Sequence, residues 1–213
     1  MKEPYQNNFK RNKPETMRRI IQSVGIVMKT QGFESLTISK IAREAQVDRK
    51  LITRYFGGLN GLIEAYILEK DYWMIFSEQL KAAIIEFSEA SPKPLITSIL
   101  VDQFNSFYKD VDMQNLILWE LTSSSKLMRS IHNTREMLGQ QLLELTDAHF
   151  EKTGIDFRAV AALLVGGIYY TILHTRHNGS MFSDVDINSE KGQLQITTAI
   201  SQVVDWAFTA SSK

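Results

Sequence analysis

At 213 residues, 44% of them hydrophobic and 10% aromatic, the chain can bury a substantial core. That excludes a disordered segment and leaves room for one large domain or a small one joined to a larger one. It contains no cysteine, so a disulfide framework and a thiolate metal site are both excluded, in keeping with a reducing cytosol. The formal net charge is zero but unevenly spread: residues 1–60 hold 12 Lys and Arg against 5 Asp and Glu, and residues 61–213 hold 12 against 19, a basic head followed by an acidic body.

In chain order, the opening "MKEPYQNNFKRNKPE" lacks the apolar stretch of a secretory signal. Met17, Ile20, Ile21, Val24, Val27 and Met28 then recur at i, i+3, i+4, i+7, which predicts a helix from about Pro14 to Gly32. Thr37 is a competent N-cap for a second helix that buries Ile38, Ile41, Ala42 and Ala45. Asp48 caps a third, which ends before Gly57-Gly58. Longer helices are expected at about 60–88, 94–109, 113–122, 126–153, 156–176 and 189–210. Breaks fall at Val111-Asp112, Ser123-Ser124-Ser125, Gly154 and "HNGSMFSDVDINS". The β-branched residues keep helical spacing and no strand is expected. The fold class is all-α, about nine helices: a three-helix head of residues 1–57 with a basic tail over 1–13, and a helical body over 58–213. The apolar run from Ala159 to Leu173 is 15 residues long and bracketed by Arg158 and His174. It falls short of the ~18–20 needed to cross a bilayer, so it reads as a buried helix, with no membrane partner.

The stretch "TISKIAREAQVDRKLITRYFGG" carries the chemistry. Two short helices joined by a tight turn need a small residue at their crossing and an apolar set fixing the angle. Ala42 supplies the first; Ile41, Ala45, Val47, Ile52 and Tyr55 supply the second. On the third helix, Arg49 and Thr53 lie at i, i+4, as do Lys50 and Arg54, on the face opposite Leu51, Ile52, Tyr55 and Phe56. Such a helix fits the major groove, where Arg and Lys bond guanine edges. Thr37 offers a hydroxyl and a helix N-terminus to a phosphate, and Lys10, Arg11 and Lys13 offer the tail to the DNA backbone or minor groove.

Residues about 15–65 resemble the DNA-binding domain of the tetracycline-repressor-like (TetR) family. The marks are "RRIIQSVGIVMKTQGFESLTISKIAREAQV" followed by "ITRYF": Gly32-Phe33, Thr37, Ile41-Ala42, Ala45, Val47, Tyr55-Phe56, then Leu62 opening the next helix. They cover about a quarter of the chain. The resemblance implies a cytoplasmic, homodimeric transcriptional regulator, usually a repressor released by a small-molecule effector. Its two heads would read an inverted repeat in double-stranded DNA through Thr37, Arg49, Lys50, Thr53, Arg54 and Tyr55. Three positions depart from the family pattern: Gln46 replaces the usual turn glycine, Leu59 a lysine that commonly meets a phosphate, and Thr53 a common tyrosine.

For the body, Trp73, Phe104, Phe107, Trp119, Tyr169, Tyr170 and His174 are candidate walls for an apolar or aromatic effector, alongside Phe76 and Tyr108, with Gln103 and Asn105 as further polar groups. Aromatics at helical spacing are plain core far more often than ligand wall. Gly166-Gly167 inside an apolar helix suggests close approach of another helix. The resemblance implies a four-helix dimer interface from the last two long helices, with Gly166, Gly167, Val203 and Trp206 in it; the alternative is packing within the chain.

No enzyme is expected. His174 and His177 at i, i+3, followed by Asp184 and Asp186, have no third ligand at fixed spacing, so no metal and no cofactor is expected. "LVGGIY" is not a phosphate loop and no serine stands in a nucleophile elbow. One further reading is an interaction protein that keeps a regulator's body but binds DNA weakly or through a partner, which Leu59 and Gln46 leave open.

Overall fold

The computed structural model describes residues 12–32, 35–70, 91–122 and 126–211. Among them lie nine helices and no strand, only one isolated bridge between Phe182 and Val185. The helices are α1 (Lys13–Gln31), α2 (Ile38–Glu44), α3 (Arg49–Phe56), α4 (Leu59–Lys70), α5 (Lys93–Lys109), α6 (Val111–Thr122), α7 (Lys126–Phe150), α8 (Phe157–Asn178) and α9 (Glu190–Ala210). The chain divides into two compact units, Met1–Lys70 and Asp71–Lys213.

The first unit is built by its caps. The Asn12 side chain accepts from the Glu15 amide, Pro14 sits in the first turn of α1, and Gly32 closes that helix with its N–H on the Met28 carbonyl. Thr37 caps α2 by accepting from the Lys40 amide, and Asp48 caps α3 by accepting from the Lys50 amide at 2.8 Å. Ile20, Val24 and Val27 of α1, Ile41 and Ala42 of α2, Ile52 of α3 and Leu62 of α4 are all essentially inaccessible, and α4 packs on both α1 and α3. Each fully buried aliphatic side chain contributes roughly 1.5–3 kcal/mol. Gly61 is required by close approach: a Cβ there would overlap the Phe56 carbonyl oxygen, so the α3–α4 corner closes only on glycine.

In the second unit α5 is central, packing against α6, α8 and α9. The Gln114 side-chain amide folds the chain back by donating to the Phe107 carbonyl at 2.6 Å and the Tyr108 carbonyl at 3.0 Å. The break before α6 falls at Asp110, earlier than Val111-Asp112, because Asp110 accepts from the Met113 amide and so caps the helix. Likewise α7 ends at Phe150 rather than near 153, in a turn where Thr153 donates to the Phe150 carbonyl and Gly154 adopts φ 73°. Phe150, Phe157 and Phe208 interlock, Phe150 stacking on Phe157 at 4.6 Å, which joins α7, α8 and α9 at one end. Glu120 of α6 pairs with Arg135 and His132 of α7.

The apolar helix α8 is not buried all round, which corrects the expectation of a buried helix. It is 22 residues long and by length and composition alone could span a bilayer, yet 33% of its most apolar stretch is buried within the unit. One face, with Phe157, Ala161, Ile168 and Ile172, packs on α5 and α7; the other leaves Leu163 (78% exposed) and Tyr170 open.

Candidate nucleic-acid interface

The α2–α3 corner is a helix-turn-helix held by backbone bonds. The Val47 amide reaches the Ala42 carbonyl at 2.9 Å and the Gln46 amide the Arg43 carbonyl at 3.2 Å. To make that turn Gln46 adopts φ 52°, in the left-handed region that favours glycine. Ile41, Ala45 and Ile52 are buried against the corner, and Val47 and Tyr55 are half-buried.

Beyond this corner the structure presents a row of donors. Arg49, Lys50, Thr53 and Arg54 are exposed on α3, and Thr37 is exposed at the start of α2. An Arg49 guanidinium nitrogen donates to the Ser39 hydroxyl across the corner at 3.3 Å, so the α2 N-terminus and the α3 basic row form one surface. Tyr55 is half-buried, and Lys13 lies over its ring with the ammonium 5.4 Å from the centroid, which brings the start of α1 to the same helix. Ser39 and Lys13's contact with Tyr55 escaped the sequence reading because they depend on how helices cross. The ten-residue separation of Ser39 and Arg49 carries no periodic signal. Lys10 and Arg11 lie outside the described residues. Leu59 opens α4 half-buried and offers no charge.

The body candidates separate into groups. Phe104 and Phe107 are fully buried on α5, and Tyr169 of α8 joins them, its ring 4.7 Å from Phe107 and its hydroxyl accepting from the Gln103 amide at 2.9 Å. Trp119 is buried on α6. Tyr170 and His174 form a second cluster with Phe182, both rings 5.1 Å from the phenylalanine, and Tyr170 is 56% exposed. Trp73 and Phe76 lie outside the described residues. The oxygens Gln103 Oε1, Gln114 Oε1 and Thr175 Oγ1 are buried with no hydrogen-bond partner among the described residues. Such a group typically costs about 1–3 kcal/mol.

Gly166 and Gly167 are exposed, and an added Cβ at either meets nothing within 4 Å. Packing within the chain therefore does not explain them among the described residues. With Leu163 and Tyr170 they line the open face of α8, and Leu194 and Trp206 (63% exposed) do the same on α9; Val203 is half-buried.

A shallow groove of about 220 Å³ lies between Thr146, Phe150, Glu151, Ile155 and Phe157, with Asp147, Asp156 and Arg158, and none of the effector candidates lines it. There the Arg158 guanidinium bonds Asp147 twice, at 3.0 and 2.7 Å, holding its carboxyl below the usual range and raising its own affinity for the proton. Among the described residues no three His, Asp or Glu side chains converge as a metal site.

Residues 20–66 match the family model described as bacterial regulatory proteins of the tetR family. YttP of Bacillus subtilis, named as a helix-turn-helix-type transcriptional regulator, is 26% identical over 140 residues, 66% of this chain and 67% of that protein. BetI of Proteus mirabilis, also so named, is 32% identical over 89 residues, 42% of this chain and 44% of that protein. Among solved structures, the transcriptional regulator FadR from Bacillus subtilis in complex with stearoyl-CoA superposes with a TM-score of 0.65 at 19% identity, covering 88% of this chain and 96% of that one. That likeness is one of fold.

Proposed function

From the premise that the chain is a TetR-family transcriptional regulator, we propose that it represses transcription as a cytoplasmic homodimer on an inverted-repeat operator and is released by a small-molecule effector. The observation that carries the reading is the exposed basic row of α3, Arg49, Lys50 and Arg54, beside the capped N-terminus of α2. Residues 1–57 are the DNA-reading part. Arg49, Lys50 and Arg54 would reach base edges or phosphates, Thr53 and Thr37 would bond phosphates, and Tyr55 would support the helix from its half-buried position.

The dimer would form through the open faces of α8 and α9. Leu163, Tyr170, Leu194 and Trp206 are apolar side chains that water favours covering, and Gly166-Gly167 lets a partner helix approach closely. Two heads held this way would read half-sites about one helical turn, ~34 Å, or a multiple of it apart. Residues 58–213 would take the effector among Phe104, Phe107, Trp119 and Tyr169. Because FadR carries stearoyl-CoA, molecules with a long apolar chain are the first ligands to try. Release requires a ligand that binds the DNA-incompetent state better than the competent one.

Selection from a random duplex pool at two salt concentrations tests this. An inverted repeat whose affinity falls steeply with salt is the expected result. Weak, sequence-blind binding would sink the repressor reading and leave a regulator-like interaction protein.

A further inference from the structure

Two buried glutamines of the body differ in what explains them. Gln114 uses its amide nitrogen twice, on the Phe107 and Tyr108 carbonyls, and so closes the α5–α6 corner. Gln103 has no such backbone duty. It is 2% exposed, its nitrogen donates to the Tyr169 hydroxyl, and its oxygen Oε1 has no partner among the described residues. On the same helix Phe104 beside it is fully buried, and Phe107, one turn on, packs on the Tyr169 ring. A leucine or methionine would fill this position without leaving an amide oxygen unbonded in apolar surroundings. The sequence keeps an acceptor that none of the described residues uses.

We propose that Gln103 Oε1 is the polar anchor of the effector, and that the effector is a neutral hydrogen-bond donor, a hydroxyl or an amide N–H, carried on an apolar skeleton that lies against Phe104 and Phe107. This rests on the reading of residues 58–213 as an effector-binding body. A carboxylate is disfavoured because it would bring acceptor against acceptor. An ammonium is disfavoured because burying its charge beside Gln103, 2% exposed, costs far more than burying a neutral donor. The Tyr169 bond fixes the amide plane, so the oxygen is held in position before the ligand arrives.

The test uses the purified full chain and four probes with the same apolar body. 1-Dodecanol and dodecanamide carry a donor; methyl dodecanoate and dodecyl methyl ether carry acceptors only. Calorimetry should find the donors bound about 10-fold more tightly than the acceptor-only pair, the worth of one net hydrogen bond. Gln103→Met should erase that preference while leaving the acceptor-only affinities within about two-fold and the ligand-free operator affinity unchanged. Equal binding of both classes to the wild-type chain, or a preference that survives in Gln103→Met, overturns the anchor and leaves the effector site standing. Binding of none of the four at saturating concentration overturns the body site and the anchor with it. Should Gln103→Met fail to fold, the wild-type series decides alone.

Discussion

Gln46→Gly changes one backbone position and almost nothing else. Gln46 is exposed, its side chain makes no hydrogen bond among the described residues, and its φ of 52° is set by the α2–α3 turn. Holding a non-glycine residue there costs about 1–2 kcal/mol. Glycine returns about 0.4–1 kcal/mol of that through the greater freedom of its unfolded chain. Taken at the middle of both ranges the net gain is about 0.5–1 kcal/mol, and in a unit of 60–100 residues 1 kcal/mol moves the melting temperature by roughly 4–8 °C. The head's transition, followed by calorimetry on the full chain, should therefore rise by about 2–8 °C. Gln46→Ala keeps the strain and should stay within about 0.5 kcal/mol of wild type. An unchanged or lower transition in the glycine variant, or an equal rise in the alanine variant, refutes the strain argument.

Three further outcomes are expected. Gly167→Leu meets open space among the described residues, so the monomer should gain helix propensity of about 0.8 kcal/mol while sedimentation shifts from dimer toward monomer; an unchanged mass removes Gly167 from the interface. Arg54→Ala should weaken operator binding, and the plot of log affinity against log salt separates its roles: a slope flatter by about one unit marks a phosphate contact, and relaxed preference at one base pair marks a base contact. Asp147→Asn should lower stability at neutral pH by no more than about 0.5 kcal/mol, because the Arg158 pair is half-exposed. Since the folded-state pKa of Asp147 lies below its unfolded value, that contribution is present above the ordinary aspartate range and lost as pH falls through and below it. Urea titrations at pH 7 and about pH 3 should show the two proteins converging at the acid end.

What the sequence made legible was local. Thr37 and Asp48 cap the helices they precede, and Gly57 ends α3 in the left-handed conformation, because each acts on backbone groups within four residues of itself. The strain at Gln46 was legible for the same reason: a two-helix turn of this length needs a positive φ whatever residue fills it. Asp110 was as readable a cap as Asp48 but stood beside Val111-Asp112, which looked like the break. The rest depends on crossings between elements. Nothing near Gly61 in the sequence announces the Phe56 carbonyl, and the pairing of Arg49 with Ser39 exists only because α2 and α3 cross. The apolar run of α8 reads the same whether its second face meets this chain or another. Gln103 looked like one polar group among several until its surroundings showed an oxygen with no partner among the described residues.

The placement of α5 also sets an order of events during synthesis. Lys93 near its start pairs with Asp205 in α9, 112 residues later, whereas α1 to α4 meet one another within the first 70 residues. At ~5–20 residues per second, roughly 7–28 s separate the completion of α4 from that of α9. During that interval a nascent chain can carry a finished head while α5, the centre of its body, still lacks α9, the neighbour it pairs with through Asp205. Under the proposed function, each new chain is able to touch a single half-site before it is able to pair or to sense a ligand. Control by the effector thus waits for α9, Glu190–Ala210, to leave the ribosome.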